Sequence, residues 1–126
     1  MTSLAVQGIG QIAVYVHDLP SAVRFYREQL GLRYLFEAGG MAFFDVNGVR
    51  LMLSQPNAAD PQQRASVLYF KVADIDHSWQ ALMAAGTVAR EPPQQVYAAA
   101  GTAQWLAFFE DPSGNVMALM EERKQA

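Results

Sequence analysis

The amino-acid sequence predicts an α+β fold made of two tandem β-α-β-β-β modules, and three observations point to it. Short apolar runs rich in β-branched and aromatic residues recur along the chain. Two stretches of helical spacing each open on an aspartate and close on a glycine. The whole order then starts again after a polar interior stretch.

Gly10 to Val16 (GQIAVYV) reads as the first strand. Asp18 follows as an N-cap with Pro20 in the first turn, and Ala22, Val23, Tyr26 and Leu30 repeat at helical spacing until Gly31 stops the helix. Arg33 to Ala38, Met41 to Val46 and Val49 to Ser54 are three further strands, punctuated by Gly39-Gly40 and Asn47-Gly48. Gln55 to Ala65 carries two prolines and no periodicity, which marks a linker. Ser66 to Val72 is the next strand. Asp74 caps a helix through Ile75, Trp79, Leu82 and Met83 that Gly86 closes. Gln94 to Ala98, Gln104 to Glu110 and Val116 to Glu121 complete the set. One domain over residues 1–126 is expected, with module one at about 8–54 and module two at about 66–122.

The repeat has an internal check. Val16-His17-Asp18-Leu19 and Val72-Ala73-Asp74-Ile75 lie 56 residues apart, and Phe43-Phe44-Asp45 and Phe108-Phe109-Glu110 lie 65 apart. Each motif holds the same place in its module. Two sheets, each covered on one face by its helix, would leave their opposite faces around a shared space where a ligand belongs.

Composition limits the chemistry. The chain has 126 residues, 52% hydrophobic and 17% charged, with a net charge of −3. With no cysteine there is no thiol nucleophile, disulfide or iron-sulfur site, and only His17 and His77 offer imidazoles. Dispersed Lys and Arg in a mildly acidic chain argue against a nucleic-acid partner. No apolar run approaches the roughly 18 residues of a membrane span, and no basic export signal opens the chain, so the cytoplasm is the expected location.

Ile12 to Asp18 (IAVYVHD), Phe25-Tyr26 with Leu30-Gly31-Leu32, and Phe108 to Asn115 (FFEDPSGN) carry a resemblance. The chain resembles the glyoxalase, bleomycin-resistance and extradiol-dioxygenase superfamily, the vicinal oxygen chelate proteins, over nearly its whole length. The resemblance implies paired modules around a cleft and, in many relatives, a divalent metal held by four inward side chains. Those positions fall on Gln11, Met52, Val67 and Ala118. Glutamine occupies the first position in some relatives. Valine and alanine offer no donor, and a thioether suits soft ions only. No metal and no other cofactor is therefore expected, and metal-dependent glyoxalase, dioxygenase, thiol-transferase and epimerase activities are expected to be absent.

Strand alternation puts Gln11, Ala13 and Tyr15 on one face, with Arg50, Met52 and Ser54, Val67, Tyr69 and Lys71, and Val116, Ala118 and Met120 on theirs. The expected ligand-binding set is Gln11, Tyr15, Arg50, Met52, Val67, Tyr69, Tyr97, Trp105, Phe108, Ala118 and Met120; no catalytic residue is assigned. Gln11 is an amide in an apolar run and needs a partner. Arg50 suits an anion or an exposed strand position alike. The tyrosines, Trp105 and the methionines serve a pocket or a core equally well. His17 reads as a loop residue, His77 as a surface helix residue, and Asp18 and Asp74 as caps.

The expected function is metal-independent binding of an apolar or aromatic small molecule. The alternative is a lyase, isomerase or dioxygenase-like enzyme in which Gln11, Tyr69 or Arg50 does a metal's work. The resemblance also implies a homodimer, with the apolar segment Leu4 to Ile9 available for the contact.

Overall fold

The computed structural model describes residues 4–5, 7–55 and 66–125. Most of the expected linker and part of the amino-terminal segment thus lie outside the described residues. The elements run β1 (Gln11–Tyr15), α1 (Leu19–Arg24), a π-helical turn (Phe25–Gln29), β2 (Arg33–Ala38), β3 (Met41–Val46), β4 (Val49–Ser54), β5 (Leu68–Lys71), α2 (Ile75–Ala84), β6 (Val88–Ala99), β7 (Thr102–Glu110) and β8 (Val116–Lys124). None of the described helices is long and apolar enough to cross a membrane.

The two modules have the same topology. One sheet has the order β1-β4-β3-β2 and the other β5-β8-β7-β6. In each, the first strand runs parallel to the last and the other pairs are antiparallel. The registers match as well: Ala13 pairs with Met52 and Tyr69 with Ala118, so the 56-residue offset holds in space. The fold is the expected α+β pair of β-α-β-β-β units.

Local chemistry explains the helix starts. Asp18 accepts from the Ser21 N–H at 3.0 Å, and Asp74 from the His77 N–H at 3.1 Å, which satisfies a donor that the helix itself cannot. The first helix departs from the expected single α-helix. From Phe25 it widens to π geometry, with the Leu30 N–H bonded to the Phe25 carbonyl. It ends at Gly31, whose φ of +71° is left-handed.

Strands β2, β3 and β4 keep the expected bounds, while β5 is shorter and β8 longer. β6 differs most, starting at Val88 and carrying Pro92 and Pro93 inside it. An edge strand tolerates the missing N–H groups, and three register shifts against β7 absorb them.

The helix-side faces of both sheets form one core, in which Val14, Phe25, Tyr26 and Phe44 join Ile75, Phe109, Met117 and Leu119. The loop Asp111–Asn115 fastens module two onto module one. The buried Asp111 carboxylate accepts from the Tyr26 hydroxyl at 2.8 Å and from the Ser113 and Asn115 N–H groups. The Asn115 amide donates to the Tyr15 carbonyl, and the His17 N–H donates to the Ser113 hydroxyl, each at 2.8 Å. Burial, together with the neighbouring Asp111 carboxylate, pushes the Tyr26 phenol far above its ordinary pKa. Tyr26 therefore stays a donor.

Candidate ligand-binding site

Facing residues of paired strands share a side, so the registers assign the face turned away from the helices. On the first sheet this inner face holds Gln11, Ala13, Tyr15, Arg50, Met52 and Phe43. The Gln11 amide lies 3.6 Å from the Met52 sulfur. Phe43 stacks on Phe36 with ring centroids 4.8 Å apart, and the Arg50 guanidinium sits 5.6 Å from the Phe43 centroid. The result is an aromatic floor with one amide and one cation at its edge.

On the second sheet the inner face holds Tyr69, Phe108, Ala118, Leu106 and Met120. Tyr69 meets Phe108 edge-on at 6.0 Å. Tyr97 pairs with Gln104 and so stands on the same face, further along the sheet and 58% exposed.

Trp105 does not belong with them. It alternates with Leu106 and therefore packs on the helix side of the sheet, against the core. There the Arg123 guanidinium lies 4.2 Å from its ring centroid and bonds Glu121 and Asp76. Hydrogen bonds from Arg123 and from the Ile75 N–H hold the Glu121 carboxyl below the usual carboxylate range. This face locks α2 to β8 and presents nothing to an inner-face ligand.

The structure thus brings Gln11, Tyr15, Arg50 and Met52 onto one sheet and Tyr69, Phe108, Ala118 and Met120 onto the other. Among the described residues, no hydrogen bond or ring contact joins the two inner faces. A cavity of about 250 Å³ lies elsewhere, on the seam between the sheets, lined by Ile12, Leu51, Leu68 and Phe70 from the helix side together with Val67 and Tyr69. An adjoining space of about 310 Å³ adds Leu30, Asn47, Lys71 and Leu119. Tyr69 lies on β5, an edge strand of its sheet, and Val67 directly precedes that strand.

The four positions that the resemblance assigns to a metal hold one amide, one thioether and two aliphatic side chains, and this donor set does not fit a divalent cation. Among the described residues no three His, Cys, Asp or Glu side chains gather where they could hold one. His17 and His77 are exposed, outside both inner faces.

Three inner-face residues escape the sequence reading: Phe36, Phe43 and Gln104. Phe43 and Phe44 are adjacent aromatics, and either could face the helix. Gln104 carried the same signal as Gln11, an amide in phase with apolar neighbours.

Solved structures share this fold. A lactoylglutathione lyase from Agrobacterium tumefaciens is 22% identical, with a TM-score of 0.73 over 92% of this chain and 94% of that one. TnmS3, an antibiotic binding protein from Streptomyces sp. CB03234, is 22% identical with a TM-score of 0.74 over 94% and 98%. A member of the glyoxalase/bleomycin resistance protein/dioxygenase superfamily from Sphaerobacter thermophilus DSM 20745 is 21% identical with a TM-score of 0.77 over 94% and 99%. No curated protein sequence matches the chain. The model of the Glyoxalase/Bleomycin resistance protein/Dioxygenase superfamily matches residues 8–119, and the chain belongs to that superfamily.

Proposed function

We propose that this protein binds a small aromatic or amphipathic molecule on the inner faces of its sheets without a metal, and that it does so as a cytoplasmic homodimer. The observation that carries the reading is the make-up of those faces. Gln11 in contact with Met52, and the aliphatic Ala118, stand on those faces where a metal-using relative needs ionic or imidazole ligands, and the fourth such position, Val67 at the seam, is aliphatic too. Stacked and edge-on rings surround them. Apolar surface with a few polar points is the usual lining of a small-molecule site. That an antibiotic binding protein shares the fold agrees with this reading.

The dimer has its own support. Phe36 is 45% exposed and Tyr69 50% exposed on a single chain, and a second copy would cover both. Leu4 and Ile9 are likewise exposed beside β1. Light scattering after size exclusion should give twice the chain mass, and a monomer at micromolar concentration would count against pairing.

The metal-free reading is tested by titrating Co²⁺, Ni²⁺, Zn²⁺ and Mn²⁺ into the protein. Melting temperature and absorbance should stay unchanged, whereas saturable one-to-one binding of any of these ions overturns it.

A further inference from the structure

Gln104 holds an acceptor for which none of the described residues supplies a donor. The residue is 7% exposed, and its Oε1 is buried without a hydrogen-bond partner. Buried side-chain oxygens are nearly always paired, so an orphan one needs a reason. β7 and β8 stay in register without a shift from Thr102 and Lys124 to Glu110 and Val116. Gln104 is therefore in phase with Leu106 and Phe108, on the inner face. Its neighbours there offer it nothing: Glu122 is an acceptor, the Thr102 hydroxyl is given to the Ala99 carbonyl, and Tyr97 stands 58% exposed.

We infer that Gln104 sets the ligand's chemistry: the molecule bound on the second sheet's inner face carries an N–H or O–H donor that ends on the Gln104 carbonyl. This deepens the ligand-binding reading above and rests on it. A molecule lying on Leu106 and Met120 is about 7 Å, two residues of strand, from Gln104 on one side and from Phe108 on the other. The class that fits is a flat one- or two-ring aromatic with a donor at one end and its rings toward Phe108 and Tyr69. Without the ligand the acceptor stays unpaired. Because the acceptor is already covered, the side chain turns toward the ligand to take its donor, and an apolar molecule of the same shape leaves it unpaired.

Indole and benzofuran test this, since they share one bicyclic shape and differ in an N–H against an ether oxygen. Titration calorimetry on the intact protein should show indole binding about tenfold more tightly than benzofuran. Gln104→Leu should bind the two equally, and Gln104→Glu, which keeps an acceptor, should retain the preference. Gln104→Leu should also melt at the same or a higher temperature, because the unpaired acceptor is gone. Saturable binding of both compounds without preference, a preference that survives in Gln104→Leu, or a lowered melting temperature in that variant overturns the inference and leaves the binding reading standing. No binding of either compound at millimolar concentration sinks both.

Discussion

Removing the Tyr26 hydroxyl alone tests how far the two modules depend on one another. Tyr26→Phe keeps the ring between Phe25 and Phe44, so the packing is retained. What goes is the 2.8 Å bond to Asp111, a carboxylate only 2% exposed. Hydrogen bonds to charged groups contribute about 1.5–3 kcal/mol, and three donors from Ser113 and Asn115 remain, so a loss of about 2 kcal/mol is expected. For 126 residues the unfolding entropy is near 0.26 kcal/mol/K, which converts this to a drop of about 8 °C in melting temperature. Asp111→Ala should cost more, about 3–5 kcal/mol, because it strands the Tyr26 hydroxyl and the loop donors together. Urea titrations of both single variants and the double variant give the coupling, expected at about 1.5–3 kcal/mol. A Tyr26→Phe loss under 0.5 kcal/mol, or additive variants, would refute the view that this bond joins the modules.

The remaining expectations concern single residues. Gly31→Ala should destabilise by about 1 kcal/mol in urea unfolding: nothing lies within 4 Å of an added Cβ, so the cost is the left-handed φ alone. Asp74→Ala should lose about 1 kcal/mol through the unmade cap on α2, while Asp74→Ser should recover most of it. Glu121 titrates lower when folded than its ordinary 4.5, so its contribution is complete above that value and disappears as pH falls through the depressed one. Thermal melts from pH 5.5 down to 3 should therefore fall more steeply for the wild type than for Glu121→Gln. Parallel curves would show that the Arg123 and Ile75 contacts carry no linkage.

The parts of the fold that the sequence disclosed are those where local signals agree. β2, β3 and β4 have apolar runs bounded by Gly39-Gly40 and Asn47-Gly48, and both turns use positive φ angles there. Where tertiary context overrides local preference, the reading fell short. Pro92 and Pro93 argue against a strand, yet β6 runs through them because its outer edge needs no donors. The site shows the same division. Alternation is clearest on β1, β4 and β5, where the apolar phase of Ile12 and Val14, Leu51 and Leu53, and Leu68 and Phe70 opposes a mixed one. On β7 alternation sets Leu106 and Phe108 against Trp105 and Phe109, yet an aromatic ring serves a pocket or a core equally well, so Trp105 entered the ligand set and Gln104 was passed over.

The link between the modules also has a direction in time. The Tyr15 carbonyl, the His17 N–H and the Tyr26 hydroxyl meet partners 100, 96 and 85 residues further along the chain. The two-residue turn Asn47-Gly48, which holds the matching place in module one, is shorter than the five-residue loop Asp111–Asn115. During synthesis the first module thus emerges with three polar groups waiting on a loop that follows it by some 85 to 100 residues. A nascent chain stalled before residue 111 should leave the first module open to protease, and one carrying the loop and β8 should not.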